Sequence, residues 1–149
     1  MILMRSAAIL IFSLFIWAFE GNCQESIIIT EDTYIRGGEY SQQNYGSSDR
    51  IEVKSAPPGF PQFTRRGYLK FDLAGWEKKW IGEAILMLYA EDAASFFMTA
   101  SLTQDMWEEK SLTWNNAPAI DGTPLAVVSE FAAESWLEFD VTDAVSSEG

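Results

Sequence analysis

Histidine is absent from these 149 residues, and cysteine occurs once, at Cys23. Without an imidazole the Ser-His-Asp and Cys-His arrangements of nucleophilic catalysis lack their base. A zinc site loses its usual nitrogen and sulfur donors for the same reason. A single cysteine excludes an intrachain disulfide framework, so packing must hold whatever this chain folds into. Bases are scarce too: 10 Lys and Arg stand against 22 Asp and Glu, a formal net charge of −12. A chain this acidic repels nucleic acid, which is not expected as a partner. There is no convincing amphipathic helical stretch and no internal repeat.

Long apolar runs are limited to one, Ala7 to Phe19, after a short start carrying Arg5. It falls short of the roughly 20 residues that span a bilayer and reads as an export signal over residues 1–23. Gly21 and Cys23 are the small residues at positions minus three and minus one of a cut before Gln24. Residues 24–149 are then enough for one domain, secreted, that meets a membrane only during export. Cys23 could instead be the lipid-carrying cysteine of a bacterial lipoprotein, but Asn22 stands before it where such a signal wants a small residue.

After the leader the chain is a series of short β-type segments broken by turn formers. Ile27-Ile28-Ile29 and Asp32 to Arg36 come first, stopped by Gly37-Gly38. Ser41 to Ser48, with Asn44-Tyr45-Gly46, has loop composition, and Ile51 to Lys54 alternates with Ile51 and Val53 inward. The prolines of the 56–61 stretch remove ladder donors and rule out regular structure there. Arg65 to Asp72 is the best strand, Leu69 and Phe71 on one face and Arg66, Tyr68, Lys70 and Asp72 on the other. Ala84 to Ala90 is apolar on both faces and therefore central. Phe96 to Leu102, Leu125 to Val128 and Trp136 to Val141 complete the pattern. The expected class is all-β, an antiparallel jelly-roll-like β-sandwich.

Gln104 to Pro118 organises the rest: Trp107 and Trp114 bracket a polar loop holding Asp105, Glu108 and Glu109, closed by Asn115-Asn116-Ala117-Pro118. The indoles read as anchors packed on a core rather than as a ligand platform. Charge is uneven along the chain. From Tyr34 to Lys70 six bases face three acids, whereas from Phe71 onward three bases face 15 acids. The acidic part reads as a solvated surface.

Six pieces in order resemble one family: Asp32-Thr33-Tyr34-Ile35-Arg36-Gly37-Gly38; Asn44-Tyr45-Gly46; Arg50-Ile51-Glu52-Val53-Lys54; Arg65 to Asp72; Trp107-Glu108 with Thr113 to Pro118; and Phe139 to Val145. This is the DNRLRE, or disaggregatase-related, domain, also classed as carbohydrate-binding module family ninety-six. The resemblance implies a secreted, non-catalytic β-sandwich that binds acidic polysaccharide, alginate being the attested class, often as part of or companion to polysaccharide-degrading enzymes. Members continue into further strands beyond the stretch that resembles Asp140 to Asp143, so the sheet here is expected to lack its last strands.

The candidate ligand-binding residues are Tyr34, Arg36, Lys54, Arg66, Tyr68 and Lys70, expected outward on one sheet face opposite Ile35, Val53, Leu69 and Phe71. Each sugar of a polyuronate carries a carboxylate. Arginine grips it through a bidentate fork and lysine as a point charge, while tyrosine offers a flat face to the ring. No cofactor is expected. Asp32, Asp105, Asp140 and Asp143 are the residues that could hold a structural calcium, although no EF-hand spacing is present. A lyase reading would make Tyr68, between Arg66 and Lys70, the base that abstracts a proton α to a uronate carboxyl. The alternative to sugar binding is a structural or adhesive spacer of an exported surface protein.

Overall fold

The computed structural model describes residues 14–18, 23–57, 59–76, 81–120 and 122–146. Its strands, in chain order, are β1 Leu14–Ala18, β2 Cys23–Ile27, β3 Ile29–Arg36, β4 Arg65–Phe71, β5 Glu83–Ala90, β6 Met98–Ala100, β7 Ala126–Val128 and β8 Ser135–Asp140. All their pairings are antiparallel. One short helix, α1 Thr142–Ser146, and two 3-10 turns, Gly38–Tyr40 and Pro61–Phe63, are the exceptions. The chain is all-β, as its strand pattern predicts, in an arrangement consistent with a β-sandwich.

The larger sheet has the order β2-β1-β5-β8. In β5 the alternation is unbroken: Ala84, Leu86, Leu88 and Ala90 are buried, while Ile85, Met87 and Tyr89 are half-buried. Register with β8 sets Leu86 opposite Phe139 and Leu88 opposite Leu137, giving one continuous apolar face. Leu69 and Phe71 of β4, Val53, Met98 and Val128 of the β6–β7 pair, and Val145 of α1 pack against it. Each such aliphatic or aromatic side chain, fully buried, contributes about 1.5–3 kcal/mol.

At the N-terminus the structure differs from expectation. Residues 1–13 and 19–22, most of the expected export signal, lie outside the described residues. Leu14–Ala18 is not outside the fold but pairs with β2 on one side and with Glu83 to Leu86 of β5 on the other. A strand edge offers unpaired N–H and C=O groups to any extended segment in reach, and Leu14–Ala18 is such a segment. Ile51 to Lys54 also departs from the expected strand, making only a bridge between Lys54 and Arg65. The unexpected helix α1 starts where the Asp140 carboxylate accepts hydrogen bonds from the Thr142 N–H at 3.0 Å and hydroxyl at 2.6 Å. A side-chain oxygen in that position satisfies an orphan donor of the first turn.

In β3, Thr33, Tyr34 and Ile35 are buried in succession. A strand covered on one side alternates, so three buried neighbours mean that both faces of the β3–β4 hairpin are covered. Leu69 meets the main core on one side. On the other, Ile35, Tyr68, Trp107 and Leu112 form a second buried cluster, with Trp114 and Ala117 packed against it. The tryptophan loop is the lid of that second core.

Candidate functional site

Register decides which predicted site residues meet. Across the hairpin Glu31 pairs with Lys70, Thr33 with Tyr68, Ile35 with Arg66, Tyr34 with Gly67 and Arg36 with Arg65. Directly opposite residues share a face. Arg66, Tyr68 and Lys70 therefore lie on the Ile35 face, whereas Tyr34 and Arg36 lie on the Gly67 and Leu69 face. The single outward surface expected from alternation is corrected to two, one on each side of the hairpin.

On the first face the side chains are committed to the tryptophan loop. Lys70 Nζ donates to Glu31 Oε2 at 3.0 Å and to the Trp107 carbonyl, and lies 4.7 Å from the Trp107 ring centre. The same Glu31 oxygen accepts the Glu109 N–H at 3.1 Å. Tyr68 is buried, edge-on to Trp107 at 5.8 Å, and its hydroxyl donates to the Pro118 carbonyl. Burial pushes its phenol up, against the opposing pull of Arg66. That is the wrong direction for a proton-abstracting base. Arg66 is exposed and stacks over Trp114 at 4.9 Å.

On the second face a cationic and aromatic surface comes together. The Arg36 guanidinium lies 4.0 Å over the Tyr40 ring and 5.7 Å from that of Tyr45. Tyr45 in turn stacks on buried Tyr34, centroids 4.4 Å apart at 26°. Burial first, then nearby Glu52 and Tyr45, raises the Tyr34 phenol above its ordinary range, with Arg36 and Arg65 pulling the other way. Arg65 pairs with Glu52. The reciprocal Lys54–Arg65 backbone hydrogen bonds, 3.1 and 2.9 Å, bring Lys54 alongside, its Nζ 5.6 Å from the Phe63 ring. Among the described residues no ion pair engages Arg36 or Lys54.

Sequence reasoning missed Tyr40, Tyr45, Arg65 and Phe63. Tyr40 and Phe63 come from the two 3-10 turns, which pack so closely that a Cβ on Gly38 would sit 2.4 Å from Gln62 Cβ. Gly38 has φ +71°, open to glycine at no steric cost. The signal was Gly37-Gly38, legible as a strand breaker but not as a hinge that turns an aromatic back onto the sheet.

Two other features carry less chemistry. A shallow depression of about 540 Å³ is lined by Ala93, Ala94, Ser95, Glu130, Phe131 and Ala132, with no base to meet an acidic ligand. The acids considered for calcium, Asp32, Asp105, Asp140 and Asp143, do not gather: among the described residues no three acidic, histidine or cysteine side chains converge as a metal site. Asp140 is engaged at α1, and its hydrogen bonds from Thr142 lower its pKa.

The antiparallel hairpin β3–β4 thus carries an aromatic cluster with cations on each of its two faces. The family model of carbohydrate-binding module family 96 matches residues 24–149, and the chain belongs to that family. Carbohydrate binding follows from the membership, and modules of this kind are typically non-catalytic. No curated protein matches the chain.

Proposed function

We propose that the protein is an exported, non-catalytic module that binds acidic polysaccharide of the polyuronate class, such as alginate, through the face carrying Arg36, Tyr40, Tyr45, Lys54 and Arg65. The observation that carries the reading is the stack of Arg36 on Tyr40 and Tyr45, with Lys54 nearby and no carboxylate paired to either cation among the described residues. A guanidinium pinned by aromatic faces keeps its planar donor fork available to a carboxylate, and the adjoining rings offer apolar area to the sugar. Tyr34 supports Tyr45 from beneath. Arg66, Tyr68 and Lys70 serve the reading indirectly, by fixing the tryptophan loop.

The net charge of −12 does not oppose such binding. At about 0.15 M salt, exposed charges beyond ~8 Å are largely screened, so the local surface governs approach. Export is supported by the cationic start and apolar run before Gln24, and the family match begins at the same residue. The module then acts as part of, or beside, an exported polysaccharide-degrading or surface protein.

Affinity electrophoresis in gels containing alginate tests this. The protein is expected to be retarded, Arg36→Gln and Lys54→Gln each to migrate faster than the parent, and Arg50→Gln, whose partners are Asp49 and Glu91, to behave as the parent. Free migration in alginate and pectate alike would sink the reading and favour a spacer without a sugar site. Appearance of unsaturated uronate on incubation with alginate would replace it with a lyase.

A further inference from the structure

Phe60 and Phe63 are about half exposed, at 51% and 52%, with ring centroids 6.3 Å apart and planes 27° from parallel. A solvent-facing pair of that size is expensive to leave bare, and isolated exposed apolar residues need no explanation while paired ones at a charged rim do. The pair is held in place locally. The Phe60 N–H donates to the Pro57 carbonyl and the Phe63 N–H to the Phe60 carbonyl, each at 3.1 Å. Gly37 N–H donates to the Thr64 carbonyl at 3.1 Å, tying the loop to the turn that carries Tyr40. Lys54 Nζ stands 5.6 Å from the Phe63 ring. The apolar pair is thus continuous with the cationic face.

Other exposed apolar residues lack this context. Met106, Phe97 and Val127 have no ring partner among the described residues, and Trp136, edge-on to Tyr89, has acidic neighbours in sequence at Glu134 and Glu138.

We infer that Phe60 and Phe63 are the apolar subsite of this face, holding the C–H face of a pyranose ring while Lys54 and Arg36 take carboxylates of the same chain, and that they are what separates a polyuronate from other polyanions. The inference rests on the polyuronate reading above. A cation-only surface binds phosphate and carboxylate polymers alike and weakens with salt. A ring platform adds attraction that salt does not screen and that a polymer without pyranose rings cannot use.

The test compares the full chain with Phe60→Ala/Phe63→Ala and Phe60→Tyr/Phe63→Tyr, titrated with alginate and with inorganic polyphosphate at low and at physiological salt. The alanine variant should lose roughly tenfold in alginate affinity at both salts, with polyphosphate binding unchanged and the thermal midpoint retained. The tyrosine variant, which keeps the rings, should restore alginate affinity. Parental alginate binding in the alanine variant overturns the subsite while leaving the polyuronate reading intact. Equal losses for alginate and polyphosphate also overturn it, since the loop would then act through the cations. No alginate binding by the parent overturns both.

Discussion

Asn44 and Leu112 are joined across the chain: the Asn44 amide donates to the Leu112 carbonyl at 2.8 Å and to the Glu109 carbonyl at 2.7 Å. One side chain thus closes the tryptophan loop onto the Asn44-Tyr45-Gly46 segment, and Lys110 returns the tie by donating to the Gly46 carbonyl. Asn44 Oδ1 also accepts the Gly46 N–H at 3.2 Å, so Asn44→Ala loses three hydrogen bonds at a partly exposed site and should cost about 1–3 kcal/mol. Urea unfolding should give a lower midpoint with an unchanged slope.

Gly46→Ala should cost more. A Cβ there would lie 2.1 Å from the Glu109 carbonyl oxygen, so backbone rather than a pliant side chain must move. An overpacked site of this kind costs about 1–3 kcal/mol or somewhat more. A thermal midpoint below that of Asn44→Ala is the expected outcome, and equal midpoints would mean that the loop yields easily.

These two residues mark what was legible in the sequence and what was not. β5 was legible as a central strand because it is apolar on both faces, and it lies between β1 and β8, while Trp107 reads as an anchor because an indole that large in a polar loop needs a core. The grouping of the site was not legible. Alternation orders residues within one strand, but which faces coincide is set by pairing, and here Ile35 stands opposite Arg66. With both faces of the hairpin covered, neither apolar set marks an inside. Tyr40 and Tyr45 reach the face from irregular segments, where no period exists to read.

Lys70 is expected to matter for stability more than for sugar binding. Its ammonium joins Glu31 to the Trp107 carbonyl in a partly buried setting, 24% exposed. Lys70→Met keeps the stem but leaves Glu31 without its cation, and should lower stability by about 1–3 kcal/mol. Alginate retardation of the folded variant should match the parent. A selective loss of binding with full stability would return Lys70 to the ligand face.

Asp32 makes stability depend on pH in a defined direction. Its carboxyl is pushed above the ordinary carboxylate range, by burial first and by Glu109 second, with Lys110 opposing. The folded chain then holds a proton at pH values where the unfolded chain has released it. Stability falls as pH rises from the ordinary Asp value through the raised one. Asp32→Asn should therefore be more stable than the parent at pH 7, with the difference closing as pH drops below the ordinary Asp range. Urea midpoints across that series check the sign, and a less stable variant at pH 7 would mean that Lys110 outweighs burial.

Tyr34 and Tyr45 divide support from contact. Tyr34 is 5% exposed and lies beneath Tyr45, whose other neighbour is the Arg36 guanidinium. A residue so buried offers a polysaccharide little surface, so Tyr34→Phe should keep alginate affinity within about twofold, the stacking ring being unchanged. Tyr45→Ala takes away both a ring of the proposed sugar face and part of the aromatic bed under Arg36, interactions worth about 1–2 kcal/mol together. Its alginate affinity should fall roughly tenfold. Isothermal titration of both variants beside the parent measures the split, and a larger loss for Tyr34→Phe than for Tyr45→Ala would mean that the hydroxyl under the stack, not the face above it, is what the sugar needs.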